Sequence, residues 1–528
     1  MGSQISDSIS ADQPYASARA PVCARNLVAS SQPLAVQAGV DALRRGGNAV
    51  DAALATAITL TVVEPNNNGV GSDAFAILWD GATLHGLNAS GRAPTGVDLQ
   101  KFGNRKTVPA LGWGAVTVPG AVSAWVALSE RFGRLRFAEL FEAAIHYARD
   151  GFQVGPKTAY YWHRAAQTYA DFPHFVEHFL PAPAAGAVFR RPDLAHTLER
   201  ICESNGEAFY RGELAMAMDT AARDEGGALR ASDLAEHQCD WVTPTAQDYR
   251  DVTLHEIPPN GQGLAAQIAL GILRHLEAPD PDTAAGKHVQ IEAMKIAIRA
   301  AFDHFADPRS MRVAPEELLA PGMLESLARQ IDDHAAPLPP VALPTSQDTV
   351  YLTTADADGM MVSFIQSNYM GFGSGVVIPK TGIALQNRGR GFSLEPGHPN
   401  QLAPGKRPFH TIIPGFVTGA GKPLLSFGVM GGHMQHQGHV QMVNRLFDAG
   451  QNPQAASDAP RWHVYEDFSV GLEVGTPEAV LEDLAGRGHD VRFDTAEHVF
   501  GGAQLIQRLA DGYAAGSDHR KEGQAAGF

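Results

Sequence analysis

Thr349-Val-Tyr-Leu-Thr-Thr-Ala-Asp-Ala-Asp-Gly359, continued by Met361-Val-Ser-Phe-Ile-Gln-Ser367, is the stretch that decides the fold of this chain. Two runs rich in β-branched and aromatic residues flank a turn, Asp356-Ala-Asp-Gly359, which is the pattern of a β-hairpin. The segment before it has the opposite character: Ala335 to Asp348 carries four prolines within eight residues, at 337, 339, 340 and 344. Proline fixes φ and removes a backbone donor, so this segment is an extended connector and the best boundary in the chain. Thr349 therefore stands where a connector meets a strand. Were the Asp348–Thr349 bond cut, Thr349 would carry both a nucleophilic Oγ and a free α-amine, whose ordinary pKa of about 7.7–8.0 suits a base near neutrality. The plain alternative is a structural β-branched residue opening a strand.

Upstream of the connector the pattern is mainly helical. Helices are expected over 33–45 and 49–63, the second apolar on nearly every side as buried helices are, then over 121–132, 137–148, 193–203, 264–276, 289–305 and 316–331. A turn-rich loop, Asn66 to Asp73, leads into a strand over 74–79. Downstream, strands are expected over 382–385, 411–416, 424–427, 503–507 and 512–515, with helices over 435–447 and 477–486. Helices first and strands later suggest a layered α+β architecture and not a doubly wound alternation.

Composition narrows the function classes. The 528 residues are 44% hydrophobic and 19% charged, which excludes disorder as the general state. The net charge of −16 gives no basic footprint for nucleic acid or anionic lipid. Cys23, Cys202 and Cys239 are widely spaced with no C-x-x-C, and read as reduced thiols. Residues 1–26 lack the apolar core of a secretory signal, and the longest apolar run, 52–63, is shorter than the ~18 residues of a membrane span, so a cytoplasmic protein is expected.

Three further patterns carry weaker signals. Gly261-Gln-Gly263-Leu-Ala-Ala266 fits a dinucleotide G-x-G-x-x-A after a strand over 252–257, but Pro258-Pro259 intervene and a flexible helix start is the plainer reading. His433, His436 and His439 share a helix face, yet no H-E-x-x-H accompanies them, and no metal is expected. Gly371-Phe-Gly-Ser-Gly375 lacks the glycine spacing of a nucleophile elbow around Ser374 and reads as a tight turn.

Several motifs in fixed order resemble the γ-glutamyltransferase family: 349–359 itself, Gln366 to Gly375, Gly382-Ile-Ala-Leu-Gln-Asn387, Gly405-Lys-Arg-Pro408 and Met430-Gly-Gly432, with Gly46 to Ala53, Gly91-Arg-Ala-Pro94 and Pro119-Gly120 upstream. The resemblance implies an N-terminal-nucleophile hydrolase fold, a four-layer αββα sandwich made as one precursor that cuts itself before the threonine. Residues 1–348 and 349–528 would then be the large and small chains of one interlocked domain, paired as a heterodimer, with a dimer of heterodimers as the larger assembly left open. It further implies Thr349 as nucleophile, Ser367 as the hydroxyl partner of that nucleophile, Gly431 and Gly432 as oxyanion donors, and Arg92 as the grip on a substrate carboxylate, with no cofactor.

The sequence also departs from the family. The acidic residue that holds a substrate amine in γ-glutamyl enzymes is Gly391 here, in Asn387-Arg-Gly-Arg-Gly-Phe392. Arg388 replaces a neutral amide, Tyr369 a smaller polar residue, and the paired serines after Lys-Arg-Pro become His410-Thr411. A buried ammonium without an anionic partner is costly, so a small, carboxylate-bearing amide without an amine is the expected substrate, oxamate first. The alternatives are a γ-glutamyl hydrolase or transferase, a cephalosporin or glutaryl acylase, and a non-catalytic carboxylate binder.

Overall fold

In the computed structural model, which describes residues 9, 18–341 and 349–528, the strand Val350–Ala355 pairs antiparallel with Met361–Ser367, placing Val350 opposite Gln366. The turn between them is closed by Asp356, whose Oδ1 accepts from the amides of Asp358 and Met360. Val350 and Leu352 face one side of the sheet with Val362 and Phe364, while Tyr351, Ala355, Met361 and Ile365 face the other. This is the period of two that a strand imposes, and both faces are apolar because both are covered.

The hairpin lies at the centre of a seven-stranded antiparallel sheet. Its order is Gln524–Gly527, Leu27–Ser30, Val350–Ala355, Met361–Ser367, Asp73–Trp79, Leu84–Asn88 and Asp240–Val242. A second seven-stranded sheet runs Val22–Ala24, Gly512–Ser517, Gly502–Leu509, Lys422–Met430, Gly415–Gly419, Val252–Glu256 and Thr245–Tyr249. Phe75, Ile77, Tyr351 and Ile365 of the first sheet meet Phe416, Met430, Ile506 and Ala515 of the second in an inner apolar layer. The outer face of the first sheet packs on helices that include Ala49–Val63, Ala121–Phe132 and Pro192–Glu203. The outer face of the second packs on Gly263–Leu273, Ala284–His304 and Met434–Phe447. The chain is thus a four-layer αββα sandwich, and each sheet draws strands from both sides of residue 348.

Local chemistry explains the helix nearest the site. Asn48 caps Ala49–Val63 by accepting from Val50 and Asp51, and Asp51 answers by accepting from the Asn48 amide. Every residue of that helix is buried, and the hydroxyls of Thr56, Thr59 and Thr61 bond back to its own carbonyls.

Some expected elements differ. The helix expected over 316–331 divides into Pro315–Leu318 and Pro321–Ala328, because Pro321 cannot continue the first. The strand expected over 411–416 begins only at Gly415, since residues 408–411 are tied to the Asn260–Gln262 loop. Val22–Ala24 and Leu27–Ser30 are strands in a stretch that carried no strand signal. Asp348 and the rest of the connector from 342 onward lie outside the described residues. Among the described residues, no helix is long and apolar enough to cross a membrane.

Candidate active site

Thr349 sits one residue ahead of Val350–Ala355, at the end of the central strand and 1% exposed. Strand register places it beside Ser367, and its Oγ1 donates to Ser367 Oγ at 3.2 Å. Ser367 Oγ also accepts from the Tyr369 amide at 2.8 Å. Tyr369 holds a left-handed backbone with φ of 83°, an uncommon state for a bulky residue. The turn is fastened to the next loop: the Asn387 amide donates to Asn368 O at 3.1 Å and Asn387 Oδ1 accepts from the Met370 amide at 3.2 Å.

Arg388 opens a short 3-10 helix, Arg388–Gly391, and is 1% exposed. Its guanidinium lies 4.6 Å from the centroid of the Tyr369 ring, and Nη1 donates to Thr411 Oγ1 at 2.7 Å. Nε and Nη2 are buried and without a hydrogen-bond partner among the described residues. Burial draws its pKa down to about 10, against the through-space pull of Asp73, so the group stays charged at neutrality. A buried cation with two unfilled donors can hold an anion.

Asp73, at the start of Asp73–Trp79, interacts through space with the Arg388 charge. Its Oδ1 accepts from the amides of Gly91 and Gly120 at 3.2 and 3.0 Å, and Oδ2 stands 3.1 Å from His410 Nε2. Burial pushes the carboxyl up to about 7, opposed first by the Arg388 charge. His410 is fully buried, packed 4.8 Å from the Phe75 ring, and burial holds its pKa well below the ordinary histidine value. The imidazole is therefore neutral and engaged with Asp73.

Gly431 and Gly432 follow the strand Lys422–Met430 and precede the helix Met434–Phe447. Their φ values of 116° and 57° are open to glycine and strained for other residues. Gly432 O accepts from Gln262 Nε2 at 2.9 Å, and the same nitrogen donates to Thr411 O at 2.6 Å.

Thr349, Ser367, Tyr369, Arg388, Thr411 and Gly432 thus form one linked set of contacts. Arg92 belongs to another: its guanidinium lies 3.3 Å from Asp307 and 3.9 Å from Asp240, carboxylates that it shares with Arg309 and Arg407. Gly391 leaves no space for the acidic residue of γ-glutamyl enzymes, because a Cβ there would stand 2.5 Å from Phe409 O.

The other patterns have structural uses. Gly263 accommodates Glu256, whose Oε2 would be 2.6 Å from an added Cβ. His433 and His436 point Nδ1 at Gln262 Oε1, and His439 Nδ1 meets Glu256 Oε1 at 2.6 Å. Among the described residues, no group of three His, Cys, Asp or Glu side chains could hold a metal ion. Ser374 Oγ donates to Leu385 O within a turn, as the spacing suggests. Sequence reasoning passed over Asp73 and Gln262. Gln262 lay in plain view between the two glycines of a motif read for its glycines.

The model of the gamma-glutamyltranspeptidase family matches residues 35–528. The chain belongs to this family. It is an N-terminal-threonine enzyme that hydrolyses amide bonds and processes itself from a precursor. Similar relatives include the oxamate amidohydrolase proenzyme of Klebsiella pneumoniae, 35% identical over 96% of this chain and 99% of that one. The glutathione hydrolase-like YwrD proenzyme of Bacillus subtilis is 34% identical over 96% of this chain and 98% of its own length. Among solved structures, cephalosporin acylase from Bacillus halodurans superposes with a TM-score of 0.95 at 46% identity, covering 98% of this chain and 99% of that one.

Proposed function

We propose that this enzyme hydrolyses the amide of a small carboxylate-bearing substrate, with oxamate, yielding oxalate and ammonia, as the preferred case. The observation that carries the reading is Arg388, a buried guanidinium with Nε and Nη2 unfilled, joined through Tyr369 and Ser367 to Thr349. A carboxylate is the planar anion whose two oxygens accept from two guanidinium N–H groups side by side. Gly391 supports the absence of a substrate amine, since the anion that would hold it has no room.

In this mechanism the chain is cut between Asp348 and Thr349, and the two products remain one body because both sheets interleave them. The substrate carboxylate seats on Arg388 and Thr411. Thr349 Oγ attacks the amide carbon while the new α-amine takes its proton, and the Gly431 and Gly432 amides stabilise the oxyanion, a contribution of about 3 kcal/mol per well-placed donor. The C–N bond breaks as the amine returns its proton to the leaving nitrogen, and ammonia departs. Water then cleaves the acyl ester, releasing oxalate and restoring Thr349. Arg388 takes the carboxylate role that family resemblance gives to Arg92, which is occupied by Asp307 and Asp240. His410 serves by fixing Asp73 and not by touching substrate. The compartment we propose is the cytoplasm, and Cys23, Cys202 and Cys239 are free thiols.

Ammonia release from oxamate, beside glutamate release from glutathione, tests the reading. Turnover of oxamate with inert glutathione supports it, and the reverse overturns it. The likeness to a cephalosporin acylase favours a second reading, a longer acyl chain ending in a carboxylate, which the same assay with glutaryl amides separates.

A further inference from the structure

Gln262 has no side-chain cap to make at the start of Gly263–Leu273, yet every polar atom it owns is used. It is fully buried. Nε2 donates to Thr411 O at 2.6 Å and to Gly432 O at 2.9 Å. Oε1 faces His436 Nδ1 at 3.0 Å and His433 Nδ1 at 3.2 Å, and its backbone amide donates to His410 O at 3.0 Å. Two carbonyls on one end fix which end of the amide is nitrogen, so both imidazoles donate to the oxygen. Burial holds the His436 pKa well below the ordinary histidine value, and the neutral ring with its proton on Nδ1 makes this donation.

The two carbonyls belong to the two arms of the site. Gly432 ends the turn, whose φ values are 116° and 57°, and its carbonyl accepts from the Gln435 amide at 3.3 Å as well as from Gln262. Thr411 carries the hydroxyl that receives Arg388 Nη1 at 2.7 Å. One side chain therefore bridges the Gly431–Gly432 turn and the Thr411 segment, beside a second tie in which Gln435 Oε1 accepts from the Ile413 amide at 3.0 Å.

We propose that Gln262 is a positioning residue that couples the Gly431–Gly432 turn to the Thr411–Arg388 socket, with His433 and His436 orienting its amide. The inference rests on the proposed function for the socket and is independent of it for the turn. Gln262→Met, of similar length and without polar atoms, takes the Nε2 donor from Thr411 O and leaves Gly432 O with the Gln435 amide alone, at 3.3 Å. A residue that merely supports the fold lowers the number of active sites, whereas a positioning residue lowers the rate at each one.

The test counts sites by the 4-nitrophenolate burst from 4-nitrophenyl acetate, a neutral acylating probe, with Thr349→Ala as the background. The acylation rate per site is expected to fall at least tenfold in Gln262→Met. With oxamate, kcat is expected to fall by a similar factor and KM to rise as well. An acylation rate per site within twofold of wild type overturns the inference, whatever oxamate does. Failure of wild type on oxamate with the acylation loss intact overturns the substrate reading alone. Gln262→Glu gives a second measure that survives poor folding of the Met variant. A neutral carboxyl there donates one hydrogen bond and an ionised one donates none, so its activity relative to wild type is expected to fall as pH rises. A pH-independent ratio near one contradicts the coupling.

Discussion

Replacing Arg388 by Met removes the charge and all five N–H groups while keeping a long side chain in a site only 1% exposed. Hydrogen bonds to charged groups contribute about 1.5–3 kcal/mol each, and Nε and Nη2 offer two that no described residue uses. Part of that sum is already spent in seating the ligand, so a net loss of about 3 kcal/mol is expected, or roughly 150-fold in affinity for a carboxylate. The guanidinium binds a part of the substrate that does not react, so the loss falls mainly on KM. Arg388→Lys keeps the charge but not the fork and is expected to recover about tenfold of it. Steady-state ammonia release from oxamate reads the kinetic effect. Oxalate protection in thermal melts reads binding without turnover: at 100 times the wild-type Kd the wild type gains about 2.7 kcal/mol and Arg388→Met only about 0.3 kcal/mol. A KM within threefold of wild type, or equal protection of both proteins by oxalate, refutes the anion socket. Arg92→Ala is the control, expected to change KM less than threefold because its guanidinium is shared between Asp307 and Asp240.

Thr349→Ala is expected to give an uncut and inactive chain by intact mass and ammonia assay. Gly391→Asp places a Cβ 2.5 Å from Phe409 O, so a stability loss of about 1–3 kcal/mol in thermal melts is expected, with no glutathione hydrolysis gained. Asp73 and Glu64, both buried, are raised to about 7, so between about pH 4 and 7 the folded state holds protons that the unfolded chain has released. Stability is therefore expected to fall as pH rises through that window, by about 1.4 kcal/mol per unit for each group, and Asp73→Asn is expected to flatten the slope of melting temperature against pH. Asp307, lowered to about 2 by Arg309 and backbone amides against the cost of burial, acts in the other direction: its stabilisation is lost as pH falls below about 4.

Much of the fold was legible because periodicity reports burial. The hairpin from Thr349 to Ser367 and the helices Ala121–Phe132 and Met434–Phe447 follow patterns set by their own residues. The strands Val22–Ala24 and Leu27–Ser30 were not legible, being short runs whose partners, Gly512–Ser517 and Val350–Ala355, are hundreds of residues away. The same holds for the site. Thr349 stands out in the sequence where the connector meets a strand, and Gly431–Gly432 only through the resemblance to the family. The meaning of Arg388 depends on what lies around it: an arginine reads as surface until it is found buried with two N–H groups unfilled. Arg92 is the converse, a motif residue whose pairing with Asp307 and Asp240 no spacing could reveal. Asp73 and Gln262 act through neighbours brought by other segments, so their contribution emerges only from the packed structure.

Intact mass spectrometry of the purified protein, followed by ammonia release from oxamate on the same sample, tests the central claim most directly. Two chains, one ending at Asp348 and one beginning at Thr349, with oxamate turnover that Thr349→Ala abolishes, are the expected result. A single uncut chain that nonetheless releases ammonia, or a cut at any other bond, would contradict Thr349 as the nucleophile.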